Sequence, residues 1–310
     1  MNTQTAGAFV HPALFYRDDA EYLAGLLPFV IGGLDGGHPV AVAVPPSRHA
    51  VLHAALGAAA ERVHWVDMSV AGRNPGRIIP TVLRQFADTH ADRHPHIIGE
   101  PIWPGRTATE YPACVQHEAL INHAFAGREV TIVCPYDTAR LDPAVVADAH
   151  ATHPEIWDGD RRAHSDRYDP DEVVARYNQP LPADTAAAEI AVSSPAELRP
   201  VRRWTAAQAL EFGLDGERVP QLELIVTELV TNSLRHAATD CLVRLWRAEG
   251  HLHCEVRDGG QLSDPLAGRR PRPPGQRGGR GLLLVHQLAD LVRTHTTPEG
   301  TSQYALLRLA

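Results

Sequence analysis

Apolar and polar positions follow two different regimes along this chain of 310 residues. Up to about residue 180, short continuous apolar runs recur between helical stretches: PVAVAVP, VHWVDM, HIIGEP and EVTIVCPYD. Runs this short, alternating with helices, predict strands of a parallel α/β sheet with helices on both faces.

The second regime begins after NQPLPADTA, a Pro- and Ala-rich polar stretch that reads as a linker. It divides the chain into residues 1–180, a linker at 181–188, and residues 189–310. Beyond it, AEIAV reads as a strand and PAELRPVRRWTAAQALEFG as a helix. A second helix starts near Val219-Pro220, and CLVRLW and HLHCEVRD form an antiparallel pair. In the latter run Leu252, Cys254 and Val256 alternate with His251, His253, Glu255 and Arg257, which predicts one buried face. GLLLVHQLADLV then reads as a helix and SQYALLRLA as a final strand. The expected architecture is α+β, a layer of helices on one mixed sheet.

The helix near Val219-Pro220 carries the most informative chemistry. Its sequence ELVTNSLRHA sets Glu228, Asn232, Arg235 and His236 at offsets of four, seven and eight. At about 100° per residue these fall within an arc of roughly 100°, so all four are expected on one stripe. Leu222, Ile225, Val226, Leu229 and Val230 occupy the other faces as core. An Asn one turn after a Glu is a good seat for hydrated Mg²⁺, which retains several waters and needs few protein oxygens.

Downstream lie RDGGQ, with Asp258 and Gly260, and GGRGLLLV, with Gly279, Arg280, Gly281 and Leu282. Asp258 ends a strand before two glycines, so its carboxylate can accept from an exocyclic amine while the backbone passes close to a flat base. Gly279 and Gly281 open a helix whose apolar positions are Leu284, Val285, Leu288 and Leu291, and whose unpaired N–H groups favour phosphate. The intervening SDPLAGRRPRPPGQRGG cannot pack a core and suits a lid over a triphosphate.

Over residues 189–310 this three-part set resembles the GHKL ATPase superfamily, most closely the anti-sigma factor serine kinases of bacterial switches. The resemblance implies a Bergerat-type fold that binds ATP with Mg²⁺, Asp258 reading adenine and the second glycine box at the lid. It implies that Asn232 holds Mg²⁺, that Glu228 acts as general base, and that Arg235 stabilises phosphate charge, with His236 structural. The sequence departs from the family at Leu262, where the first box usually repeats its glycine.

Residues 9–180 resemble the MEDS sensory domain of dichloromethane-responsive regulators, which is distantly like RecA- and KaiC-type ATPases. The likeness rests on HPALFYRDDAEYLAGLLPFVIGGLDGG, GEPIWPGRTATEYPACVQHEALIN, CPYD and THP. Where a phosphate loop would follow the first strand, the chain reads VPPSRHAVL, without glycine or lysine, which points to sensing. Glu100, Trp103, Arg106, Glu118, Tyr136 and Asp137 are expected near the C-terminal ends of strands, where open α/β sheets bind ligands, or else as core and paired charges.

Composition narrows the options. The chain has no lysine, which leaves arginine as the only permanent cation for phosphate contacts. A net charge of −8 argues against broad nucleic-acid binding. No apolar stretch reaches membrane-spanning length and the N-terminus lacks the pattern of a signal peptide, so a cytoplasmic protein is expected. Cys114, Cys134, Cys241 and Cys254 have no close-pair spacing and read as buried thiols; the 18 histidines read as surface or core residues.

Together these readings predict a signal-responsive anti-sigma-type serine/threonine kinase. Its expected partners are a sigma factor or an antagonist protein and a small-molecule signal at the N-terminal domain, with homodimerisation left open. The alternatives are a non-catalytic ATP-dependent switch, or a histidine kinase with its acceptor in trans; His117-Glu118 reads as an accidental pair within a sensory-domain helix.

Overall fold

The structure, a computed structural model, describes residues 9–182, 184–237, 240–271 and 279–309. The chain separates into two compact units, Met1–Tyr177 and Asn178–Ala310.

The first unit is built on strands β1 (Pro12–Tyr16), β2 (Val40–Val44), β3 (His64–Asp67), β4 (His96–Gly99), β5 (Thr131–Asp137), β6 (Glu155–Asp158) and β7 (Arg161–His164). Their order is β3-β2-β4-β5-β1-β6-β7, parallel throughout except for the β6/β7 hairpin at one edge. The connecting helices are α1 (Asp19–Asp35), α2 (Pro46–Leu56), α3 (Met68–Ala71), α4 (Arg84–Thr89), α5 (Tyr111–Phe125), α6 (Pro143–Thr152) and α7 (Pro170–Arg176). β2 and β5 are buried at every position, as expected for parallel strands covered on both faces. One core joins Leu14, Val42, Val44, Ile98 and Val133 of the sheet to Tyr22, Leu26, Val30 and Leu34 of α1 and Leu52 of α2. The sequence pattern foresaw β2 to β5. β1 and the β6/β7 hairpin escaped it, because PALFY merges with a longer mixed run and β7, RRAH, has no apolar face.

The second unit holds α8 (Leu198–Glu211), α9 (Val219–Asn232) and α10 (Gly281–Leu288) against a sheet of β8 (Ala188–Val192), β9 (Cys241–Ala248), β10 (His251–Asp258), β11 (Leu291–Thr297) and β12 (Gly300–Arg308). The order is β11-β12-β10-β9-β8, antiparallel at every pairing, which corrects the expected mixed sheet. Leu222, Ile225, Val226, Leu229 and Val230 of α9 pack on Val243, Leu245, Leu252, Cys254 and Val256, with Val285 of α10 closing the layer.

Three further expectations change. The last helix stops at Leu288 instead of running to Val292, and Leu291 belongs to β11. The β-branched run through Val292, Thr294, Thr296 and Thr297, turned back at Gly300, favours a hairpin with β12 over another helical turn. Second, β10 is not bare on its outer face. His253 and Glu255 are each 5% exposed, with His253 against Trp246 and Glu255 paired to Arg244 at 3.2 Å. Part of the segment that reads as linker covers that face. Asn178 exchanges hydrogen bonds with Thr296, Arg293 donates to the Gln179 carbonyl, and Arg244 donates to the Asp184 carbonyl. Third, the lid stretch does pack in part: Leu266 and Arg269 are buried, while residues 272–278 lie outside the described residues.

Because Ile225 is fully buried, Ile225→Ala should destabilise the second unit by about 2–5 kcal/mol. Urea denaturation followed by Trp204 and Trp246 fluorescence would show the shift; an unchanged midpoint would mean that α9 does not anchor the layer.

Candidate functional site

A cavity of about 350 Å³ opens between the end of α9, the end of β10 and the start of α10. Its walls include Asn232, Ser233, His236, Asp258, Gly260, Leu262, Gly279, Gly281 and Leu282. Asn232 and His236 of the α9 stripe and both glycine boxes therefore meet around one space. A second hollow, bordered by Pro180 to Pro182 and the outer face of β10 and β12, contains none of these groups.

Asp258 stands at the base of the cavity. Its Oδ2 accepts from the Ser233 hydroxyl at 2.5 Å, the short distance of a charge-assisted bond. Its Oδ1 accepts from the Gly260 N–H at 2.8 Å. Gly260 is needed for closeness: a Cβ there would lie 2.7 Å from the Ala237 Cβ. Thr301 ties the loop down by donating to the Gly260 carbonyl at 2.7 Å. The Leu262 N–H donates to the hydroxyls of Thr296 and Thr301. Leu262 has no positive φ; among the described non-glycine residues only Glu249 does. The departure from the glycine box thus leaves an ordinary backbone and adds an apolar wall to the cavity.

At the other end, a Cβ on Gly281 would sit 2.6 Å from Glu228 Oε2 and 3.3 Å from Asn232 Nδ2. Glu228 and Asn232, one turn apart on α9, therefore both meet the first residue of α10. Glu228 is not among the wall residues, whereas Asn232 is. Gly268, at φ +74°, brings the lid segment so close to α10 that a Cβ would lie 2.6 Å from the Leu282 Cβ. Arg280 precedes α10 and is exposed.

The four-residue stripe does not survive intact. After Asn232 the helix widens into a π turn over Ser233–Ala237. One added residue per turn shifts the phase, so the exposed Arg235 is not on the cavity wall while His236 is. Ser233 and Thr301 were missed; the position of Ser233 directly after Asn232 was the available signal.

In the first unit the six singled-out residues separate. Glu100, just past β4, accepts from the Tyr16 hydroxyl at 3.2 Å. Asp137, ending β5, pairs with Arg48 at 3.4 Å, and Arg48 also bonds Asp19. The Arg48 guanidinium lies 4.9 Å from the Tyr16 ring centroid and 5.1 Å from that of Tyr22. Trp103 lies under the Arg106 guanidinium at 3.8 Å, and Arg106 donates to the carbonyls of Pro101, Gly72 and Arg73. That pair pins loop backbone. Glu118 and Tyr136 instead meet around His153, with the Tyr136 ring edge-on to it. Tyr16, Tyr22 and Arg48 were not foreseen, although Arg48 lies in the first turn of α2, which follows β2 at the ligand-binding edge of such sheets.

An antiparallel sheet carrying helices on one face, with a carboxylate, an amide and a helix N-terminus around one cavity, is the arrangement expected of an ATPase-like fold. Comparison with known families agrees: residues 191–303 match the histidine kinase-like ATPase domain, and residues 10–154 match MEDS, the methanogen/methylotroph DcmR sensory domain. The chain thus joins a MEDS domain to a histidine kinase-like ATPase domain. No curated protein matches it. A crystal structure of the RsbU and RsbW domains of Rv1364c from Mycobacterium tuberculosis is similar at 21% identity and a TM-score of 0.30, covering 39% of this chain and 32% of that one. The chain thus spans about a third of that relative's length. Among the described residues no helix is long and apolar enough to cross a membrane.

Burial raises the Glu100 carboxyl to about 8, against the opposing pull of Arg48. The folded state therefore holds a proton that the unfolded chain releases near 4.5, and this contribution to stability is present below about 4.5 and lost as pH rises through about 8. Glu100→Gln cannot ionise, so its melting temperature relative to wild type should rise progressively from pH 5 to pH 8.5. A difference independent of pH would contradict the assignment.

Proposed function

We propose that the second unit binds ATP with Mg²⁺ and transfers the γ-phosphoryl group to a serine or threonine hydroxyl of an antagonist protein, as a kinase of the anti-sigma type. The observation that carries this reading is the meeting of Glu228 and Asn232 at Gly281, where a Cβ would strike the carboxylate. A carboxylate and an amide therefore face the N-terminus of α10, the place where phosphates are favoured by unpaired N–H groups. Asp258, with both oxygens already oriented, suits an adenine amine.

In this reading the α10 N-terminus orients the triphosphate, and Glu228 takes the proton of the incoming hydroxyl as the oxygen bonds to phosphorus and ADP departs. Asn232 would supply the amide oxygen to Mg²⁺, which would neutralise phosphate charge. Arg280, exposed before α10, is an available cation for the same phosphates, whereas Arg235 does not line the cavity. The first unit would receive a small-molecule signal and bias this site; a sigma factor or its antagonist would be the protein partner.

A second reading, a switch that binds ATP without phosphoryl transfer, draws support from the absence of Glu228 from the cavity wall. Two measurements separate the outcomes. Millimolar Mg·ATP should raise the melting temperature of the full chain, since a ligand at 100 times its Kd adds about 2.7 kcal/mol. Asp258→Ala should abolish the shift, and Asn232→Ala its Mg²⁺-dependent part. No shift in wild type would remove the nucleotide reading altogether.

Glu228→Gln should keep nucleotide binding and lower phosphoryl transfer to a candidate antagonist by about 10²–10⁴. Equal transfer rates would take Glu228 out of the base role. Binding without any transfer by wild type would favour the switch.

A further inference from the structure

Outside the nucleotide site, four side chains from four separate places in the first unit converge on one point: His11 just before β1, Glu118 on α5, Cys134 on β5 and His153 at the end of α6. We propose that they form a closed, four-coordinate site for one divalent transition-metal ion, zinc by its donor set. One ligand atom from each lies within 4.8 Å of every other. His11 Nε2 is 3.4 Å from Glu118 Oε2, His153 Nε2 is 3.3 Å from the same oxygen, and Cys134 Sγ is 3.4 Å from His11 Nε2. A tetrahedron with Zn–N and Zn–O bonds near 2.0–2.1 Å and Zn–S near 2.3 Å has edges of about 3.3–3.6 Å. The three measured pairs fit those edges.

The hydrogen bonds behind the imidazoles determine which nitrogen faces the centre with a lone pair. Asn122 Nδ2 donates to the carbonyls of Glu118, Ala119 and Thr152, so its Oδ1 must accept from His11 Nδ1 at 3.1 Å. His153 Nδ1 lies 2.9 Å from the Ala149 carbonyl and donates to it; the neighbouring Thr152 hydroxyl gives its own proton to the Asp148 carbonyl. In the neutral rings both Nε2 atoms therefore carry lone pairs, and both point at a carboxylate oxygen that can only accept. Among the described residues neither Glu118 oxygen, nor His153 Nε2, has a hydrogen-bond partner. All four side chains are buried, with at most 1% of each residue exposed. Several lone pairs aimed at one dry point make a donor set suited to a bound cation.

The charge balance selects its class. With Cys134 as thiolate, Glu118 as carboxylate and both imidazoles neutral, a dication makes the centre electrically neutral, and the thiol proton leaves to solvent on binding. Mixed nitrogen, sulfur and oxygen donors suit zinc; Mg²⁺ and Ca²⁺ take oxygen donors in larger number. The back-side bonds to Asn122 and Ala149 are the outer-shell contacts that orient metal-binding histidines. With four protein ligands and no open position, the ion would clamp β1, β5, α5 and α6 together rather than act on a substrate. This differs from the sequence-level reading of Cys134 and His153 as plain core residues. No two ligands share a helix face, so spacing could not reveal the set.

The full chain, purified under reducing conditions, should carry about one equivalent of zinc by elemental analysis. Replacing the zinc with Co²⁺ should give tetrahedral d–d absorption and a thiolate-to-cobalt charge-transfer band. Cys134→Ser should remove the charge-transfer band, whereas Cys241→Ser should leave it unchanged. Asn122→Ala should weaken metal affinity by about 10–100-fold. Circular dichroism with and without Zn²⁺ checks folding, and wild-type absorption needs no variant. Wild type that binds neither Zn²⁺ nor Co²⁺ at micromolar concentration, or a charge-transfer band that persists in Cys134→Ser, would overturn the proposal.

Discussion

The second unit depends on a joint between the end of α9 and the end of β10. There the Asp258 carboxylate receives the Ser233 hydroxyl on one oxygen and the Gly260 N–H on the other. An acceptor oriented from both sides loses little freedom when a further donor arrives. The same joint excludes side chains from the backbone around it. Gly260 abuts Ala237, and a Cβ on Gly300 would fall 2.3 Å from the Asp258 carbonyl oxygen. Thr301 completes the knot by bonding Gly260 and Leu262, so α9, β10 and β12 hold one rigid floor.

The opposite wall follows from glycine as well. Gly281 lets α10 begin against Glu228 and Asn232, and Gly268 in a left-handed conformation lets the lid segment lie on Leu282. Beneath both, α9 is fastened by its apolar faces to the sheet, which keeps a polar stripe in place without burying it. The outer face of the sheet is covered in part by the stretch from Asn178 to Pro182, which reads as linker in the sequence but is held by Thr296 and Arg293.

Legibility divided along physical lines. Local periodicity exposed α9 and its Glu228 and Asn232, because a helix converts spacing directly into direction. It failed at Arg235, where the π turn breaks the 100° step. It failed at β11 because LVRTHTT continues the apolar rhythm of α10 for only two residues and then turns β-branched. The strands β2 to β5 were plain from continuous apolar runs, whereas β7 has no apolar face to detect. The His11, Glu118, Cys134 and His153 cluster was out of reach for a different reason: parallel topology brings His11 against three residues more than a hundred positions away, which themselves sit on three separate elements, and no local pattern encodes that.

In the proposed function, Asp258 and its glycine-lined surroundings form an adenine nucleotide site. Asp258 offers an acceptor, which complements the exocyclic amine of adenine and opposes the carbonyl that guanine carries at the same position. Isothermal titration of the full chain with ATP and with GTP, each with Mg²⁺, tests this directly. ATP should bind at least about tenfold tighter than GTP, the ratio that 1.4 kcal/mol provides, with the preference lost in Asp258→Asn. Equal affinities for the two nucleotides, or a preference unchanged by that substitution, would contradict it.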